Sequence, residues 1–274
     1  MLVTIQILNI IMPVLYGLVL TFYLIDFYWE KSINAAYNRT FLFATLALHF
    51  IYIIMRTVEY SHFLITTKYE LFTSIAFTIA IAYVIIEILT KVKITGFIIL
   101  VFPFLFQFIS SIFIQDIYQV KEVLKNPLLG LHVISALLGV SAFIISAVYG
   151  FLFVILYNRI KRRKYGVFFD KLPSLEVLEK MSFISLFVGF IVLTVSIIIG
   201  AIWLPVAFPE FSHIDPKLLA TIIIWLVYAV GITMKIKFKW YGKKLIILSI
   251  FGMFIVIISM MIPYVFKSSF HNFL

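Results

Sequence analysis

The residues best suited to chemistry in this chain are five histidines: His49, His62, His132, His213 and His271. Neutral imidazole is the commonest side-chain ligand for a transition metal. No cysteine accompanies them, which removes thiolate-bound zinc, iron–sulfur clusters, disulfides and self-attachment of a c-type haem. There is no glycine-rich phosphate loop, nucleophile elbow or metalloprotease helix, so hydrolysis and phosphoryl transfer have no recognisable machinery. Two imidazoles from separate elements can still clamp the iron of a haem from opposite faces. A porphyrin is a large flat hydrophobe with polar propionates, and it needs an apolar, aromatic shelf. Trp203, Phe208 and Phe211, on the connection around residues 204–214, supply one, with Asp215 at its end. Aromatic residues at a membrane interface also simply anchor helices, and spacing alone does not separate the two uses.

The elements that must position these residues are set by composition. The chain has 274 residues, 64% of them hydrophobic and 12% charged, with a mean hydropathy of +1.15. A soluble domain this apolar would lack the polar surface needed to stay in water. Apolar runs of about twenty residues recur along the whole length, which predicts an all-α, polytopic membrane protein. The expectation is one transmembrane domain over residues 1–274. Its eight spans fall near 7–27, 40–57, 71–89, 95–114, 128–157, 181–206, 218–234 and 243–266. The N-terminus lacks the basic region of a cleavable leader, so residues from Asn9 onward read as the first span.

The net charge of +10 reports topology here, and no nucleic-acid partner follows from it. Sixteen of the 22 Lys and Arg residues lie in the odd-numbered connections, including Arg159, Lys161, Arg162, Arg163 and Lys164, and Lys235, Lys237, Lys239, Lys243 and Lys244. The positive-inside rule then puts these connections in the cytoplasm and both termini outside. On that topology His62, His132, His213 and His271 are all outer, and only His49 is in mid-membrane.

His132 falls at the outer mouth of the fifth span, after the turn-like Asn126-Pro127, and His271 follows the eighth span. An intramembrane histidine is costly to bury, so His49 is either a functional group or a neutral ring bonded to a nearby hydroxyl or carbonyl. Arg56, two turns further out, is at the level of Glu70 and suits an ion pair with it, or contact with a propionate or a partner. Glu87 is expected to reach the cytoplasmic interface, and His62 and His213 to be solvated. Small residues recur at four-residue spacing in the fifth span, first Ser135 and Gly139, then Ala142, Ser146 and Gly150, a seam that lets helices pack closely. Pro173 and Ser174 predict a turn and a helix cap leading unbroken into the sixth span.

The ordered series Leu172-Pro173-Ser174-Leu175-Glu176, Gly189-Phe190, Leu193-Thr194, Gly200-Ala201-Ile202-Trp203, Asp215-Pro216-Lys217 and Trp225-Leu226-Val227-Tyr228-Ala229 resembles the haem-handling membrane proteins of cytochrome c biogenesis. That superfamily includes CcsA, CcmC and HemX, and the likeness runs from about Leu46 to the C-terminus. It implies an outer tryptophan-rich loop that presents non-covalent haem b, with His132 and His271 as the flanking iron ligands. Trp203, Phe208, Phe211, Asp215, Trp225 and His49 would complete the cofactor-binding set. The chain departs from the pattern at Phe208, Ser212 and Ile214, where the family has tryptophans, and at Leu218, Ala220 and Thr233, the last replacing a membrane-level histidine.

These departures bring the HemX-like branch into view, whose members are associated with tetrapyrrole synthesis as effectors on glutamyl-tRNA reductase. As a CcsA-like protein the chain would be at most part of a cytochrome c haem lyase, or synthetase, complex in the inner or plasma membrane. Having no thiol of its own, it would need a ResB-like (CcsB) membrane subunit to manage the thiols of apocytochrome c.

Overall fold

The computed structural model describes residues 1–28, 35–163, 166, 170–207 and 215–265. Among the described residues there is no strand. The helices are α1 (Leu2–Tyr28), α2 (Ala35–Tyr60), α3 (Lys68–Thr90), α4 (Gly96–Phe113), α5 (Pro127–Lys161), α6 (Leu175–Ala207), α7 (Pro216–Phe238) and α8 (Lys243–Val265), with a short 3-10 turn at Glu122–Lys125. Seven of them, α1 to α7, are long and apolar enough to cross a membrane. The remaining expected span, at 243–266, coincides with α8. At 35 residues α5 is about 52 Å long at 1.5 Å per residue, well beyond a hydrocarbon core of about 30 Å.

Local sequence explains the helix ends. Thr67 and Glu70 form a reciprocal capping box at the start of α3: the Glu70 N–H donates to Thr67 Oγ1 at 3.1 Å and the Thr67 N–H to Glu70 Oε2 at 3.3 Å. Lys91, left-handed at φ 59°, closes that helix. Ser174 caps α6 as expected, its Oγ accepting from the Val177 N–H at 3.3 Å, and α6 then runs 33 residues without a break.

The chain divides into two compact units, Met1–Leu137 and Leu138–Leu274. In the first, α4 packs on α1 and α3, and α2 on α1. Its core is rich in tyrosine: Tyr16, Tyr23, Tyr52 and Tyr83 are all fully buried. In lipid a buried hydroxyl must find its partner inside the protein, and Tyr23 donates to Glu87 Oε2 at 2.7 Å. Arg39 Nε meets the other oxygen at 2.9 Å. Glu87 is therefore not exposed to solvent; it is 1% exposed, because these two donors supply what water would.

In the second unit the small-residue seam of α5 is the packing surface. Gly139 lies so close to α6 that a Cβ there would meet Leu193 N at 3.1 Å and Gly189 O at 3.2 Å. Ser146 bonds across two interfaces, to Ser182 O on α6 at 2.7 Å and Ser249 Oγ on α8 at 2.6 Å. Phe143 stacks on Tyr228 of α7, with centroids 3.9 Å apart and planes 11° from parallel. Around this pair gather Leu186, Leu193, Ile224, Ile232 and Val256.

Two substitutions rank these contacts. A Cβ on Gly189 would meet the Phe143 ring at 2.7 Å and Gly139 O at 2.9 Å, so Gly189→Ala is expected to cost about 1–3 kcal/mol as overpacking. Ser146→Ala loses membrane-buried hydrogen bonds averaging roughly 0.6 kcal/mol each. Thermal unfolding in detergent should therefore show Gly189→Ala lowering the midpoint more than Ser146→Ala.

Candidate functional site

The site begins where α7 starts. Asp215, 3% exposed, caps that helix: its Oδ1 accepts from the N–H of Lys217 at 2.8 Å and of Leu218 at 3.2 Å. Pro216 fills the first position, where its missing N–H costs nothing, and the carboxylate faces the positive end of the helix dipole. The next side chain, Lys217, reaches α8, where Nζ donates to the carbonyl and the hydroxyl of Ser259 at 3.0 Å each. The Asp-Pro-Lys series thus starts one helix and ties it to another.

Two turns along α7, Trp225 Nε1 donates to Thr194 Oγ1 at 2.9 Å, and its ring lies on Phe190 at 5.2 Å and 30°. The Thr194 hydroxyl donates in turn to Phe190 O at 2.7 Å. Trp203, at the end of α6, is 2% exposed. Trp203, Asp215 and Trp225 belong to the second unit, the first two buried in it and Trp225 half-buried. Phe208, Phe211, His213 and His271 lie outside the described residues.

His132 is half-buried in the first turns of α5 and belongs to the first unit. Two residues earlier in the same helix, Gly130 packs against Phe63 so closely that a Cβ would meet that ring at 2.7 Å.

His49, 0% exposed, sits in an ordered chain of hydrogen bonds. Tyr16 Oη lies 2.9 Å from Nδ1, and Thr73 Oγ1 lies 2.9 Å from Nε2. Thr73 gives its own proton to Gln107 Oε1 at 2.6 Å, and Gln107 Nε2 donates to Ser111 Oγ at 3.0 Å. Since the threonine proton is committed to Gln107, Nε2 carries the imidazole proton and donates to Thr73. Nδ1 then accepts from Tyr16. In the neutral ring the Nδ1 lone pair is held by the Tyr16 phenol.

Further out, Arg56 is 2% exposed and is held within the protein through both terminal nitrogens. Nη1 meets Asp116 Oδ1 at 3.1 Å, Nη2 donates to Gln115 O at 3.1 Å, and the guanidinium lies 4.6 Å from the Tyr60 ring centre. Glu70 Oε1 is more distant, at 3.9 Å, so Asp116 is the closer ionic partner. His62 is not solvated. It is 2% exposed, with Nδ1 2.9 Å from Phe63 O and Nε2 3.0 Å from Ile117 O. The connection before α3 is drawn down over that helix, with Ser74 donating to Leu64 O at 2.8 Å, and it buries the ring.

Several members of these networks carry no sequence signature of their own. Ser259, Tyr16 and Thr73 are found only as partners, whereas Thr194 belongs to the motif series. Gln107 had one usable signal, a lone amide within the apolar helix α4, since intramembrane polar side chains are retained for a reason. Among the described residues no three His, Asp or Glu side chains gather to hold a bare metal ion.

The sequence profile described as "Cytochrome C assembly protein" matches residues 7–271. The chain is 25% identical over 261 residues to the cytochrome c biogenesis protein CcsA of Trieres chinensis, covering 84% of this chain and 83% of that one. It is 41% identical over 83 residues to CcsA of Prochlorococcus marinus (strain NATL2A), a match spanning 30% of this chain and only 26% of the relative. It is also 28% identical over 120 residues, 44% of each chain, to Protein HemX of Bacillus subtilis (strain 168). With a match over nearly its whole length, the chain belongs to the cytochrome c assembly protein family, as a multi-span helical membrane protein.

Proposed function

We propose that this protein binds haem b non-covalently and presents it at the outer face of the inner or plasma membrane for cytochrome c assembly. His132 and His271 would ligate the iron. The loop from Trp203 through Phe208 and Phe211 to Asp215 would form the shelf. The observation that carries this reading is the bond from Lys217 to Ser259. It ties the exit of the loop to the helix that leads on to His271, so loop and ligand segment start from one fixed base.

The donor set suits a porphyrin better than a bare ion. A bare ion needs several side chains at one point, whereas a porphyrin brings its own nitrogens and asks only for axial imidazoles. When bound, haem would supply the redox-active iron and the vinyl groups to which apocytochrome thiols add. The chain's own groups hold and orient. Asp215 fixes where the loop ends, and Trp225, locked to Thr194 and Phe190, keeps α7 in register with α6. At membrane level an iron could reach His49 only by displacing Tyr16 from Nδ1 or Thr73 from Nε2. Handling of apocytochrome c thiols would fall to a ResB-like (CcsB) subunit, since this chain has no cysteine.

The detergent-solubilised protein should show the Soret band of a bis-histidine haem. His132→Ala and His271→Ala should each remove it, with added imidazole restoring it; an unchanged spectrum in both variants would overturn the assignment. Asp215→Ala loses a helix cap worth about 1 kcal/mol. It should lower haem retention about fivefold while leaving the wavelength of the band unchanged.

A second reading has its own observation. Thr233, where some members of the family carry a membrane-level histidine, is exposed, and its hydroxyl is turned back to Ala229 O at 2.9 Å. That departure, with the likeness to HemX, suits a membrane effector of tetrapyrrole synthesis whose basic cytoplasmic connections dock glutamyl-tRNA reductase. Neutralising the basic residues within 159–164 should then abolish co-purification with the reductase, and replacing His132 or His271 should not. The opposite pattern rules this reading out.

A further inference from the structure

The α7–α8 turn is held by a clasp unrelated to the loop. Glu179 of α6 pairs with Lys235 Nζ through one oxygen and accepts from the Gly242 N–H at 2.7 Å through the other. The same ammonium lies 3.9 Å from the centre of the Tyr241 ring. Lys239, at φ 53°, and Gly242, at φ 62°, turn the chain back, and the Trp240 N–H closes on Met234 O at 3.1 Å. The result is a rigid corner that sets the half-buried Trp240 ring beside Lys244, whose Nζ is 5.9 Å from its centre.

Trp240 and Lys244 form the rim of a groove of about 590 Å³. Leu226, Val227 and Val230 of α7 line it on one side, and Ile247, Leu248 and Phe251 of α8 on the other. Bulk lipid would be enough to cover so apolar a trough. What distinguishes it is the charge at one end. Lys237, Lys239, Lys243 and Lys244 are all exposed there, and both oxygens of the Glu179 carboxylate are already taken. A second copy of the chain is disfavoured, because a symmetric pairing would set this lysine cluster against itself.

From this geometry we infer that the groove is a site for one anionic phospholipid. Its acyl chain lies between α7 and α8, and its phosphate sits against the Lys244 ammonium and the Trp240 indole. Basic pockets between membrane helices recognise acidic headgroups in this way, the apolar trough accepting any chain and the cation choosing the headgroup.

The test uses the full chain in detergent, titrated with phosphatidylglycerol and phosphatidylcholine of identical acyl chains and read by native mass spectrometry. One phosphatidylglycerol per chain should be retained in preference to phosphatidylcholine. Lys244→Gln should reduce that preference about fivefold, the effect of one lysine at the membrane surface. Lys237→Gln, off the groove, should change it less than twofold. Val230→Trp fills the trough from a position 49% exposed, so it does not overpack the core; it should abolish retention of both lipids. Equal retention of the two lipids overturns the inference. So does an equal effect of Lys237→Gln and Lys244→Gln, which would mean a diffuse lysine field. A Val230→Trp variant that still retains phosphatidylglycerol, or a wild-type chain whose groove proves to be a dimer interface, overturns it as well.

Discussion

In a chain this apolar, a buried polar side chain can be satisfied only by a partner inside the protein, because the surrounding medium offers none. That constraint organises both units. Asp215 gives its carboxylate to two backbone N–H groups, and Lys217 carries its ammonium across to Ser259. Glu87 is divided between Tyr23 and Arg39, and Glu179 between Lys235 and Gly242. The Asp215 cap is local, but Lys217, Glu87 and Glu179 each join separate helices, so there satisfying a polar atom and fixing a helix pair are the same event.

The two units solve the problem differently. The first uses long side chains in directed chains, running from Tyr16 through His49 and Thr73 to Gln107 and Ser111. The second uses small ones. Gly139 and Gly189 bring α5 and α6 to backbone contact, and Ser146, Ser182 and Ser249 bond across the helices that this closeness permits. The second arrangement gives a stiff frame around the motif residues Phe190, Thr194 and Trp225.

A histidine is not made available merely by being intramembrane. His49 has both nitrogens occupied and a defined tautomer, and His62 is buried between two carbonyl oxygens. Arg56, which by sequence suited an ion pair with Glu70 or contact with a propionate or a partner, bonds to Asp116 and Gln115.

Much was legible in the residues alone. Apolar run lengths determined that the chain is helical and crosses the membrane repeatedly, because backbone amides in lipid leave no other choice. The small-residue seam of α5, the Ser174 cap and the motif series that marks the family were readable because they depend on local spacing. Partner identity was not. Whether Glu87 met water or Tyr23 and Arg39, whether His62 was solvated, and that Lys217 would choose Ser259 depended on which distant helix came alongside. That is decided by packing in three dimensions, where two residues far apart in sequence become neighbours through contacts neither of them makes.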